Sequence, residues 1–122
     1  MELGGVFFVQ ISPLYFSPEG CHLWEVGYTH WEHLTLQIND IRSGLFDSTF
    51  LSDARKNELW SMFCSLNKFT AKDVNKRICD SGFEIVRSKV DTVVMDPPDE
   101  LITAYDLDAL KTHQVVTMFR KI

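Results

Sequence analysis

The sequence predicts an α+β domain in which an antiparallel sheet, an N-terminal three-strand meander plus C-terminal strands, packs against two central helices. Three observations carry this. Residues 69–83 hold a complete set of helix start and stop signals, Leu59, Met62, Phe63 and Leu66 recur at helical spacing, and β-type segments flank both. At 122 residues, 45% hydrophobic and 24% charged, the chain reads as one globular domain over 1–122 with enough length for a core.

Taken in order, Gly4–Ser12 is rich in Val, Phe and Ile and predicts a buried first strand. Ser17-Pro18-Glu19-Gly20 has turn chemistry, with Pro second and Gly fourth. His22–Thr29 predicts a strand with Trp24, Val26 and Tyr28 on one face, and His33–Asn39 alternates Leu34, Leu36 and Ile38 against Thr35, Gln37 and Asn39. Residues 40–51 then read as a connection. Ser52-Asp53 opens a helix whose apolar face is Leu59, Met62, Phe63 and Leu66.

The next helix spans about 71–81. Thr70 is its N-cap, Asp73 takes the capping-box position, and Phe69 with Val74 occupies the staple positions. Gly82 supplies the left-handed residue that ends it. Phe83–Val86 predicts a strand that Val90–Met95 extends or follows, and Asp96-Pro97-Pro98-Asp99 stops it because proline donates no ladder bond. Leu101–Tyr105 is read as pairing back, Asp106–Leu110 as one helical turn, and Gln114–Phe119 as the last strand.

The net charge of −5 is unevenly spread. Residues 1–48 carry six acids and one base, 49–90 five acids and eight bases, and 91–122 six acids and three bases. This pattern argues against a broad grip on nucleic acid and suits an acidic surface meeting a basic partner. No apolar run approaches the ~18 residues of a membrane span, and Val6–Ile11 lacks a basic leader region. Cys21, Cys64 and Cys79 are odd in number and irregularly spaced, which predicts free thiols and a cytoplasmic protein.

Each candidate chemistry has an ordinary structural reading beside it. His30-Trp31-Glu32-His33, with Cys21-His22 upstream, is the tightest ligand-like cluster and the basis for a metal-dependent hydrolase as one alternative. A strand at His33 would split the histidines between two faces, however, and no C-x-x-C accompanies them. The expectation is therefore no metal and no cofactor. Cys64 beside an apolar helix face reads as an inert thiol. Gly4-Gly5 lacks the downstream pattern of a phosphate loop, so no catalytic residue is assigned.

Lys68, Lys72 and Lys76 recur every fourth residue beside Arg77, a stripe suited either to phosphates or to solvent, and nucleic-acid contact is the other alternative. The run Ala71-Lys72-Asp73-Val74, Ile78 and Ser81-Gly82-Phe83-Glu84-Ile85-Val86-Arg87 resembles the helix-to-strand opening of the HicA family of small RNA-cleaving toxins. In that family the strand leads into Gly-Ser-His with a catalytic histidine. Ser88-Lys89-Val90 stands there in this chain, so the resemblance assigns no catalytic residue.

The preferred expectation is a non-enzymatic protein-binding domain: an acidic inhibitor or immunity-type protein that neutralises a basic partner such as a nuclease toxin. The acids Asp91, Asp96, Asp99, Glu100, Asp106 and Asp108 would steer the encounter. Tyr15, Tyr28 and Trp31 are the aromatics expected at the surface to anchor it.

Overall fold

A computed structural model describes residues 3–122. The sheet has three antiparallel strands, β1 (Val6–Ile11), β2 (Phe83–Thr92) and β3 (Thr112–Lys121), in the order β1-β3-β2. The chain's last strand is thus the central one. It pairs Phe7 with Phe119 on one side and Ile85 with Phe119 on the other. Along β3, Val115, Thr117 and Phe119 are buried, and Val116 and Met118 face the opposite way, half-buried. On the covered face Phe7 stacks on Phe119 at 5.3 Å and meets Phe83 edge-on at 5.0 Å.

The helices are α1 (Glu32–Thr35), α2 (Ile38–Phe46), α3 (Asp53–Ser65), α4 (Ala71–Asp80), α5 (Asp99–Ile102) and α6 (Leu107–Lys111). Among the described residues no helix is long and apolar enough to cross a membrane. The local signals of α3 and α4 act as expected. The Ser52 hydroxyl accepts from the Arg55 amide. Thr70 and Asp73 close both bonds of a capping box, at 3.1 and 2.9 Å, and Gly82 adopts φ 96°. Helix α4 lies against β2 and β3, whereas α3 packs against α2.

A polar ring fixes α4 to the sheet. Thr117, 1% exposed, donates to Asn75 Oδ1 at 2.9 Å, Asn75 Nδ2 donates to Ser88 Oγ at 3.2 Å, and the Ser88 and Thr117 hydroxyls share a bond of 2.8 Å. The buried Thr117 hydroxyl is therefore fully partnered, the condition for such a group inside a core.

The N-terminal meander is not formed. Only β1 joins the sheet, and it is not buried: Phe8 is 67% exposed. His22–Thr29 instead holds a 3-10 turn, Trp24–Val26, closed by Gly27 at φ 87°. His33–Asn39 divides between α1 and the start of α2, and residues 40–51 include most of α2 rather than a simple connection. The reason is burial. Leu36 and Ile38 stay exposed, while Ile41 and Leu45, four apart on a helix, enter a core with Cys21, Leu23, Leu59 and Phe63. Leu101–Tyr105 does not pair back as a strand; it begins within α5, and Leu101 is buried against Trp31 and Leu110.

Candidate functional site

Four of the six acids of the C-terminal segment, Asp99, Glu100, Asp106 and Asp108, sit at two short helices held from beneath by one aromatic. Residues 91–110 contain six acids and no Lys or Arg. Their support is a small core of Trp31, Leu101 and Leu110, with Leu34 and Val93 packed around it. Trp31 adopts φ 63° and donates its indole N–H to the Leu110 carbonyl at 3.0 Å. Expected at the surface, Trp31 is instead 1% exposed: a large ring with one donor satisfies both packing and hydrogen bonding there.

Asp99 and Glu100 occupy the first turn of α5, and Asp106 and Asp108 the start of α6. Among the described residues these four make no ion pair. Asp96 does, with Lys111 at 3.2 Å. Asp91 stands apart on the open face of the sheet, accepting from Gln114 Nε2 at 2.7 Å and 3.6 Å from Lys89.

Asp106 and Asp108 line a cleft of about 350 Å³ whose walls are mostly apolar. Its other sides are Leu14 and Phe16, the entry to α4 from Phe69 to Lys72, and Val90 and Thr92 near the end of β2. Lys72 therefore faces the same cleft as two acids. Phe16 also meets Tyr105, with ring centroids 5.5 Å apart. A volume of this size suits one large apolar side chain or a small ligand.

The remaining predicted residues do not converge on the cleft. Tyr15 is wedged edge-on between Phe16 and His33, and Lys68 lies over its ring at 5.6 Å. Burial, with smaller contributions from Tyr105 and Cys21, raises its hydroxyl pKa. Tyr28 packs on the helical core, and its hydroxyl sits so close to Gly44 that a Cβ there would come within 1.9 Å. Its pKa is also raised, first by burial and then by Glu32, Cys21 and Asp40.

The basic stripe is broken. Lys68 precedes α4, Lys76 pairs with Asp80 at 2.8 Å, and the Arg77 guanidinium covers the Phe69 ring at 4.3 Å. Only Lys72 of the four is turned toward the cleft.

The His30–His33 segment serves the backbone. The His30 amide donates to Glu32 Oε2 at 2.6 Å and His30 Nδ1 bonds the Thr29 hydroxyl at 2.8 Å. His33 Nε2 is hydrogen-bonded to the Tyr15 carbonyl, its Nδ1 is buried without a partner, and burial lowers its pKa. The described residues hold no group of three or more His, Cys, Asp or Glu placed to bind a metal. Cys21 is buried, and desolvation pushes its thiol up to about 11. Cys64 is exposed rather than set into the core, at a second cavity shared with Tyr15, His33 and Lys68.

Comparison with protein-family models, curated proteins and solved structures gave no significant match. The residues missed by sequence reasoning are the cleft walls, Leu14, Phe16, Phe69 and Val90. Each carries an ordinary core signal, and only the fold brings them together.

Proposed function

We propose that this chain is a non-enzymatic protein-binding domain that docks on a basic partner through its acidic C-terminal end, as an inhibitor or immunity-type protein does on a nuclease toxin. The observation that carries this reading is the set of α5 and α6 carboxylates that make no ion pair among the described residues, two of which, Asp106 and Asp108, line a mostly apolar cleft. Free carboxylates raise the encounter rate with a cationic surface, and an apolar pocket gives the docked complex its lifetime. Because Trp31 is spent on the interior, the anchoring side chain comes from the partner: an apolar residue flanked by Lys or Arg. The odd number and irregular spacing of the three cysteines support action in the cytoplasm.

The test is affinity capture with the tagged protein from its own cells, with and without nuclease, alongside Asp106→Lys/Asp108→Lys. One stoichiometric protein that survives nuclease and is lost from the charge-reversed variant supports the reading. Recovery of nucleic acid instead, abolished by Lys72→Glu with Lys76→Glu, would replace it with the nucleic-acid alternative.

A further inference from the structure

The outer edge of β2 has no strand beside it among the described residues, and Glu84–Val90 are exposed without interruption. A ten-residue edge strand with exposed Ile85, Val86 and Val90 is a template for another strand. We propose that the occupant is a second copy of this chain, paired antiparallel along β2 with the two-fold axis beside Val90.

Charge selects both the occupant and the register. The chain carries −5 overall, yet β2 holds two acids, Glu84 and Asp91, and two bases, Arg87 and Lys89. Two like-charged copies therefore approach most easily here. Directly opposed residues in antiparallel strands share a face. Between Arg87 and Asp91 the strand has no bulge, so the axis must fall beside a residue.

With the axis at Ser88, Arg87 meets the partner copy's lysine; at Arg87 or Lys89, a cation meets itself. With the axis at Val90, Lys89 of each copy stands opposite Asp91 of the other, giving two symmetric ion pairs on the open face. Each copy's Lys89–Asp91 contact, 3.6 Å, already holds these groups side by side there. The product is a continuous six-stranded sheet with β1 at both outer edges. Because Val90 also lines the cleft, the two clefts come to lie on either side of the axis.

Sedimentation equilibrium of the full chain tests this, with Lys89→Asp, Asp91→Lys and the double exchange. Each single change replaces two attractions by two repulsions and should weaken dimerisation at least about fivefold. The double exchange restores opposite charges across the axis and should return the affinity to within about twofold of wild type. A second measurement reads the register without charge. In a Cys64→Ser/Cys79→Ser background, Val90→Cys should cross-link under mild oxidation, since opposed Cα atoms lie within disulfide reach. Arg87→Cys should not, because its two copies would be about 20 Å apart. A chain that stays monomeric at about 100 µM, single variants that dimerise like wild type, or a double exchange no better than the singles would overturn the proposal. So would cross-linking at Arg87→Cys in place of Val90→Cys.

Discussion

Replacing Trp31 by Phe tests whether one buried ring supports the acidic end. Phe keeps an aromatic body among Leu101 and Leu110 but removes the N–H that Leu110's carbonyl accepts at 3.0 Å. Leaving that carbonyl unsatisfied costs about 1–3 kcal/mol, and the void left by the smaller ring about another 1 kcal/mol. The expected loss is about 3 kcal/mol, which for a chain of this length lowers Tm by roughly 9–15 °C. Urea unfolding followed by circular dichroism measures the loss, and native-state hydrogen exchange locates it. The amides of Tyr105 and Leu110, which bond to Leu101 and Asp106 within this end, should lose more protection than those of α3. A variant within about 0.5 kcal/mol of wild type, or protection lost evenly across the chain, would refute the reasoning, since ordinary surface substitutions stay within that range.

Three further outcomes follow from single contacts. His33 has its pKa lowered by burial from 6.5, so the unfolded chain binds its proton first. Stability contributed by the neutral ring is present above about pH 6.5 and is lost as pH falls toward the folded pKa. The difference between wild type and His33→Gln in urea unfolding, measured from pH 7.5 to 5, should fall with pH, and a constant difference would contradict this. Lys56, nearly buried, donates Nζ to the Phe46 carbonyl at 2.8 Å at the C-terminal end of α2. Lys56→Met should cost about 1–2 kcal/mol by the same unfolding assay, through the lost charged bond and helix-end interaction. Thr117→Val breaks the ring with Asn75 and Ser88 and should cost about 1–2 kcal/mol. Adding Asn75→Ala should then cost less than it does alone, a coupling that a double-mutant cycle reads directly.

The elements legible in the sequence are those whose determinants are adjacent in the chain. Thr70, Asp73 and Gly82 are near neighbours of the helix they start and stop, and the three act as the sequence indicates. Residues 33–46 form helices where a strand and a connection are expected, because a short alternation fits two periods. Leu34, Leu36 and Ile38 satisfy a strand, but Ile38, Ile41 and Leu45 satisfy a helix, and the residues that decide between them lie beyond the alternating window. Gly27 was the available warning: a glycine inside a strand pattern marks a turn, and here it takes φ 87°. The left-handed φ of Trp31 carried no such signal, since the residue has a Cβ and a bulky ring.

For the candidate site the division follows the same physics. The acids were readable because they share one stretch free of Lys and Arg, so charge accumulates there whatever the topology. The cleft was not, because it forms only when Leu14 and Phe16 meet the entry to α4 and the start of α6. Aromatic content misled for a related reason. Trp31, expected at the surface, is instead buried, because the segments on either side of it form a turn and short helices rather than strands. Two short helices carrying unpaired acids need an apolar base to hold them against their mutual repulsion. Trp31, joined to Leu101 and to the carbonyl of Leu110, is that base.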